Sequence, residues 1–398
     1  MAQTYTPKLP RVLPRKKRVA VIGAGMTDFR SINPHTTREL VYEATRRAFD
    51  SCGLTPADVD AVVGASAPDA FDGIHMKGWN PVDAMGACGK PYIREFVGGG
   101  TGVGCVVTGW YYVASGLYDM VQVSAWEKMS PPVPHAQKLF QTIFEPILEW
   151  PLGPNLVWIF ALEMNRYMHA HNLKKETIAL SAVKNKRNAL DHPHSQLGMK
   201  ITVEDVLNSP VLAWPVQRLD ISPSTDGAVT LILASEDVAK KFTDTPVWID
   251  GVGMCIDSQY WMNRDLAFPY YVYLAAQQAY KMAGISNPLK DLDILEPYDP
   301  FDYKELHHLD GLLGKQGLAP RLLEEGELER DGKHPSCPSG GLQGVGNPIA
   351  AAGAMKVAEL YWQLSNQAGK RQVDNAKVGV AQAWGDLMQV ATVVVMRS

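Results

Sequence analysis

Hydrophobic positions in this chain follow a strand-then-helix pattern, and the pattern occurs twice. Near the start Val19-Ala20-Val21-Ile22-Gly23-Ala24-Gly25-Met26 is a continuous apolar run of strand length. Val247-Trp248-Ile249-Asp250-Gly251-Val252-Gly253-Met254 answers it, and both close in Gly-x-Gly-Met. Each run is followed by an amphipathic stretch of helical spacing, Val41-Tyr42-Glu43-Ala44 leading to Phe49 and Gly53-Leu54, then Val272-Tyr273-Leu274-Ala275 leading to Tyr280 and Gly284-Ile285. The offset of roughly 230 positions is about half the chain, which predicts a duplicated domain rather than a short-period solenoid.

The parallel continues. An acidic turn and an apolar strand come next in both copies, Asp58-Val59-Asp60-Ala61-Val62-Val63 and Leu292-Asp293-Ile294-Leu295. A glycine-rich loop then runs into an apolar helix, Val97-Gly98-Gly99-Gly100-Thr101-Gly102 in one copy and Pro338-Ser339-Gly340-Gly341 through Gly353 in the other. Strand, helix, strand, glycine loop, helix, strand is an α/β arrangement, and two such units bury a shared core. The expected division is an N-terminal half over 18–129 and 221–245 and a C-terminal half over 246–398. Residues 130–220 interrupt the repeat with Pro131, Pro132, Pro134, Trp150, Pro151 and Trp158, then helices expected at Leu162 to Asn172 and Glu176 to Leu190. An insertion of this size reads as a lid or substrate-binding subdomain. Residues 1–17 form a basic, proline-interrupted arm (Lys8, Arg11, Arg15, Lys16, Lys17), suited to lie on a neighbouring subunit or remain extended.

Composition narrows the functional classes. With 46% hydrophobic and 20% charged residues in 398, the chain reads as an ordinary soluble enzyme of two domain-sized units. A net charge of -4 argues against a nucleic-acid binder working through overall basicity. No apolar run approaches membrane-spanning length, and the first residues lack the apolar core of a signal peptide, so a cytoplasmic protein without membrane attachment is expected. Five scattered cysteines form no Cys-x-x-Cys pair, which favours a reducing compartment and no disulfide framework. His169, His171, His192 and His194 lack a completing ligand at a recognisable spacing, so no metal site is expected in this chain. Gly23-x-Gly25 is an incomplete dinucleotide fingerprint, because position 28 is Asp28, and its recurrence in the second copy reads as close backbone packing. The Gly98–Gly104 loop lacks the Lys-Ser/Thr ending of a phosphate loop, yet it places backbone N–H groups at a helix start, where a polarised carbonyl or oxyanion is stabilised.

Four tracts carry a family resemblance: Ser124-Ala125-Trp126-Glu127-Lys128-Met129, Ser224-Thr225-Asp226-Gly227-Ala228 with Ala234-Ser235-Glu236, Pro338-Ser339-Gly340-Gly341, and Gly346-Asn347-Pro348. From about Arg18 onward the chain resembles the thiolase superfamily, which implies a duplicated five-layer αβαβα core with an inserted loop domain. More narrowly it resembles the sterol-carrier-type branch that includes the thiolase-like subunit of benzoylsuccinyl-CoA thiolase and the steroid side-chain aldolases. That branch implies coenzyme A as substrate or acyl carrier, with Gly100, Gly340, Gly341 and Gly385 around it. It also implies a homodimer and a small partner subunit with a zinc ribbon and an oligonucleotide-fold (OB) domain. The apolar Val106, Val107, Trp110 and Tyr111 of the first glycine-loop helix are taken as the dimer surface.

This sequence departs from the family where chemistry is expected. Thr101 stands at the nucleophilic cysteine, Asn347 replaces the histidine of Gly-His-Pro, and Gln382-Ala383-Trp384-Gly385 lacks the second cysteine. A threonine hydroxyl without a base is a poor nucleophile, which places the covalent acyl-enzyme route in doubt. Tyr298, in Glu296-Pro297-Tyr298-Asp299-Pro300-Phe301, matches the catalytic tyrosine of the aldolases; lowering of its pKa would make it a general acid or base, and the plain alternative is a packed strand-end tyrosine. Asn347 can donate to a thioester or ketone oxygen, or simply cap the next helix. Among the cysteines, Cys105 reads as a core thiol, Cys337 as one able to reach a cleft, and Cys88 as a loop thiol. The expected activity is carbon–carbon bond cleavage or formation on an acyl-CoA, with aromatic Trp150, Trp158, Phe160 and Tyr167 permitting a bulky acyl group. Its first form is thiolysis of a β-oxoacyl-CoA by coenzyme A, its second retro-aldol cleavage of a β-hydroxyacyl-CoA through Tyr298. A third reading is a non-catalytic scaffold for a partner enzyme.

Overall fold

The computed structural model describes residues 16–71, 73–130, 136–385, 387 and 389–398. Its first half runs β1 (Val19–Met26), α1 (Thr37–Cys52), β2 (Ala61–Ala65), β3 (Tyr92–Glu95), α2 (Thr101–Ala114) and β4 (Met120–Glu127). The intervening segment carries α3 (Ala136–Phe140), α4 (Leu156–His171), α5 (Lys175–Asn188), α6 (Val203–Leu207) and the hairpin β5 (Val211–Ala213) and β6 (Val216–Gln217). After β7 (Gly227–Ser235) and α7 (Glu236–Phe242) comes the second series, β8 (Val247–Ile256), α8 (Tyr270–Ala283), α9 (Pro288–Asp291) and β9 (Ile294–Glu296). It ends with α10 (Asp302–Leu313), α11 (Leu318–Glu324), α12 (Gly341–Val345), α13 (Ile349–Leu364), β10 (Val378–Gly385) and β11 (Val390–Arg397).

Strand order displays the duplication. The strands lie β3-β2-β4-β7-β1-β8-β11-β10-β9. From the β1–β8 joint outward, each half shows the same sequence of partners, two antiparallel pairings (β1 with β7 and β7 with β4; β8 with β11 and β11 with β10) and then a parallel one (β4 with β2; β10 with β9). At the joint only two residue pairs meet, Ala20 with Trp248 and Val21 with Val247. Between the two halves run α2 and α13, almost wholly buried and packed on strands of both, and α1 and α8 cover the outer faces. The result is the five-layer α/β core that the family resemblance implies.

The repeated Gly-x-Gly-Met has a packing cause. A Cβ on Gly25 would sit 2.4 Å from Ala44 O of α1, and one on Gly253 would sit 1.9 Å from Ala275 O of α8. Each glycine pair therefore lets its own outer helix lie directly on the strand. The central layer is built the same way, since a Cβ on Gly102 of α2 would meet Ala350 O of α13 at 2.1 Å.

Two expectations change. The apolar face of α2 is spent inside the chain, with Val106, Val107 and Trp110 buried against the sheets and only Tyr111 half-exposed, so it offers no dimer surface. Helix α4 starts at Leu156, six residues before the expected Leu162, because Asn155 caps it by accepting from Trp158 N at 3.1 Å. Of the basic arm, residues 1–15 lie outside the described residues, as do Pro131, Pro132 and Pro134; Lys17 pairs with Asp119 and the Arg18 guanidinium lies 4.1 Å from the Trp248 ring centre.

Candidate active site

A cavity of about 500 Å³ opens where the inserted segment meets both halves. Its apolar wall includes Phe71, Met129, Phe160, Phe301, Ile349 and Trp384, and its polar groups include Arg218, Ser222, Ser224, Tyr298 and Asn347. Among the described residues the wall has no cysteine, histidine, lysine or carboxylate.

Tyr298 follows directly on β9, whose parallel pairing with β10 sets its position. Its N–H donates to Gln382 Oε1 at 2.9 Å, and its phenol oxygen lies 3.0 Å from Asn347 Oδ1 and 3.1 Å from Ile349 O. One proton serves two acceptors there. Burial pushes the phenol well above its ordinary pKa, and the Asp299 carboxylate adds to the rise. This corrects the expectation of a lowered value: the group is held as a protonated hydrogen-bond donor.

Asn347 follows Gly346, whose φ of +126° only glycine adopts readily. Its N–H donates to Pro223 O at 3.1 Å and its Nδ2 to Ser222 Oγ at 3.2 Å. Ser222 N in turn donates to Pro300 O at 2.9 Å, so the stretch before β7 is clamped between the Tyr298 and Asn347 segments. The Asn347 amide is therefore oriented by partners on both sides and remains on the cavity wall.

The first glycine loop lies opposite. Gly98 has φ +50°, and a Cβ on Gly99 would sit 2.4 Å from Trp384 O and 3.4 Å from the Tyr298 hydroxyl, so a side chain there would wedge the loop away from β10 and the phenol. Thr101 is fully buried and off the cavity wall. Its Oγ1 accepts from Val97 N at 2.8 Å and donates to Gly98 O at 2.5 Å, closing the loop. The N–H groups of Gly100 and Thr101 are taken by Val97 O and Gly98 O. Gly98 and Gly99, at the cavity, keep N–H groups without a protein acceptor among the described residues, whereas Gly102 and Val103, which keep theirs in the first turn of α2, lie off the cavity wall, so fewer N–H groups face the cavity than the whole Gly98–Gly104 run expected from the sequence.

The four glycines expected around coenzyme A lie elsewhere than the cavity wall. Gly100 and Gly385 touch behind the loop, where a Cβ on Gly385 would meet Gly100 N at 2.8 Å. Gly340 (φ +97°) backs onto Ala189, and Gly341 (φ +59°) admits the Asp299 carboxylate, which accepts from Leu342 N at 2.9 Å. Their role here is close backbone approach. Lys356 Nζ ties that carboxylate (3.0 Å) to Glu296 (2.8 Å) in a fully buried cluster. Cys337 joins this cluster, 3.4 Å from Lys356 Nζ, and does not reach the cavity. Burial raises the thiols of Cys337 and Cys105, and exposed Cys88 donates to Asp83 Oδ1 away from the cavity.

The structure thus brings Tyr298, Asn347 and the front of the glycine loop together and leaves Thr101 and the cysteines aside. Sequence reading missed Ser222, Arg218, Phe301 and Trp384 as wall residues, although each stands inside or beside a quoted motif. Among the described residues no three His, Cys, Asp or Glu side chains converge as a metal site, and none of the helices is long and apolar enough to cross a membrane.

Comparison with known proteins gives a consistent picture. Residues 254–398 match the family described as thiolase C-terminal domain-like. The acetyl-CoA acetyltransferase of Methanothermobacter thermautotrophicus is 32% identical over 370 residues, 92% of this chain and 96% of that protein. The benzoylsuccinyl-CoA thiolase subunit BbsB of Thauera aromatica is 30% identical over 217 residues, 54% of this chain and 56% of that one. Among solved structures the Ltp2-ChsH2(DUF35) aldolase superposes with a TM-score of 0.82 at 23% identity, covering 96% of this chain and 98% of that chain.

Proposed function

The chain belongs to the thiolase superfamily, in its sterol-carrier-like branch, and from that membership we propose that it cleaves or forms a carbon–carbon bond of a bulky acyl-CoA without an acyl-enzyme intermediate. The observation that carries this reading is a cavity wall bearing a protonated phenol beside an oriented amide and, among the described residues, no thiol. Covalent acyl transfer needs an activated nucleophile. A buried Tyr298 instead suits proton transfer with no net charge on the phenol.

Retro-aldol cleavage of a β-hydroxyacyl-CoA fits that constraint. As the bond between Cα and the β-carbon breaks, the β-hydroxyl proton passes to the Tyr298 oxygen while the Tyr298 proton passes to Cα. The products are a ketone or aldehyde and a shortened acyl-CoA. Asn347 Nδ2 and the N–H groups of Gly98 and Gly99 hold the thioester oxygen as it gains enolate charge. The apolar wall of Phe160, Phe301 and Trp384 accommodates a bulky or aromatic acyl group. Thr101 supports the loop in this scheme and does no chemistry.

A second reading is thiolysis of a β-oxoacyl-CoA by free coenzyme A, favoured by the acetyl-CoA acetyltransferase relative that spans nearly the whole chain. The products decide between them. Retro-aldol chemistry yields a carbonyl compound and one thioester from a β-hydroxy substrate without added coenzyme A, and Tyr298→Phe then lowers the chemical step by roughly two to four powers of ten with binding little changed. Thiolysis yields two thioesters, requires coenzyme A, and loses about two to three powers of ten in Asn347→Ala. Turnover of neither substrate by the assembled protein would leave the scaffold reading in place of both. We further propose the assembly implied by the branch, a homodimer with a small zinc-ribbon and OB-fold subunit, since the Ltp2-ChsH2(DUF35) aldolase is itself a complex.

A further inference from the structure

Strand β9 stops at Glu296, so no β-ladder partner takes the carbonyl of Tyr298 two residues later. A buried carbonyl without a donor is costly. The donor is His308 of α10, whose Nδ1 lies 2.6 Å from Tyr298 O. With Nδ1–H pointing at the carbonyl, Nε2 is the acceptor, and the Tyr271 hydroxyl of α8 meets it at 3.3 Å. Lys304 Nζ reaches the same hydroxyl at 3.5 Å and pairs with Glu163 of α4 at 2.6 Å. Burial, reinforced by the Lys304 charge, holds His308 well below its ordinary pKa and therefore neutral. His308 is fully buried behind Trp384 and is not among the residues that line the cavity.

We propose that His308 is a positioning residue for Tyr298, fixing the peptide that carries the phenol so that its hydroxyl faces the reacting carbons. This rests on the reading of Tyr298 given above. Tyr298 is held at its N–H by Gln382, at its hydroxyl by Asn347 and Ile349, and at its carbonyl by His308. The first two ties hold the residue at its N–H and at the end of its ring; the third fixes the peptide unit that follows it. A displacement of about 1 Å at a proton-transferring group costs on the order of a hundredfold in rate, while an apolar cavity wall binds its ligand nearly as before. Tyr271, Lys304 and Glu163 extend the hold to α4, which also supplies Phe160 to the wall.

The test compares His308→Ala, His308→Asn and His308→Gln in the full chain with its partner subunit, using a β-hydroxyacyl-CoA with a bulky acyl group. An asparagine amide reaches the place of Nδ1 and can donate to the carbonyl; a glutamine amide reaches past it. His308→Ala is expected to lower kcat by about ten- to a hundredfold with KM within about threefold, and His308→Asn to recover about tenfold over His308→Gln. The Asn-to-Gln contrast keeps the test decisive if the alanine variant does not fold. Equal kcat in the Asn and Gln variants, or kcat and KM worsening together in all three, overturns the proposal. Tyr298→Phe in the same assay separates the two levels. If it retains the wild-type rate, the reading of Tyr298 fails; if it loses rate while His308→Gln does not, only the role of His308 fails.

Discussion

At the residue scale, neighbours decide what each side chain can do. Thr101 is the residue that the sequence reading set at the nucleophile position, yet its hydroxyl is committed to Val97 N and Gly98 O. Thr101→Ala is expected to cost about 1 kcal/mol of stability through the lost N–H acceptor and to leave most of the activity. Mass spectrometry of a quenched reaction is expected to find no acyl group on Thr101, Cys105 or Cys337; an adduct on any of them would restore the covalent route. Glu95 at the end of β3 carries a second consequence. Its carboxylate occupies the space left by Gly104 and accepts from Thr108, and burial pushes its pKa up to about 6. A carboxyl whose folded pKa lies above its unfolded value of 4.5 favours folding while protonated, so this contribution is lost as pH rises from about 4.5 to about 6. Glu95→Gln should therefore raise Tm at pH 7.5 and change it little at pH 4.5, a contrast that calorimetry reads directly.

At the scale of elements, the site is held by contacts between segments far apart in sequence. Lys356 of α13 joins Glu296 of β9 to Asp299, and Asp299 accepts from the first turn of α12, so one ammonium ties the Tyr298 segment to the turn that presents Asn347. Lys356→Met leaves two buried carboxylates without their cation, and a loss of roughly 3–5 kcal/mol in chemical denaturation is expected. A wild-type midpoint would mean that the remaining N–H donors suffice. Gly102 makes the complementary point about space. Gly102→Ala drives a Cβ to 2.1 Å from Ala350 O, and separating α2 from α13 should destabilise the protein by at least about 1–3 kcal/mol and shift the adjoining glycine loop.

At the scale of the whole molecule, the apolar face of α2 lies within the chain, so any self-association uses another surface. Among the described residues edge strand β3 pairs with β2 alone, and Ile93 on it and Phe96 just after it are nearly half exposed. Light scattering of the chain alone is expected to give twice 43.7 kDa. A stable monomer, fully active without a partner subunit, would overturn both parts of the proposed assembly.

Local pattern alone determined much of this protein. The paired Gly-x-Gly-Met runs, the amphipathic helices after them and the two glycine loops specify a duplicated α/β core, because apolar period and glycine placement are properties of contiguous residues. Tyr298 and Asn347 were equally legible as candidates, since each stands in a short contiguous motif, and the structure brings both to one cavity wall. What tertiary structure alone decided was environment. Whether the Tyr298 phenol is lowered or raised depends on how completely segments from four parts of the chain exclude water from it. Whether the face of α2 meets a partner or α13 depends on which surface remains after the two halves close. The four glycines assigned to coenzyme A illustrate the same division: their conformational freedom is written in the sequence, but the group that approaches each of them, Ala189, Asp299 or the back of the loop, is chosen by packing across distances that no local pattern encodes.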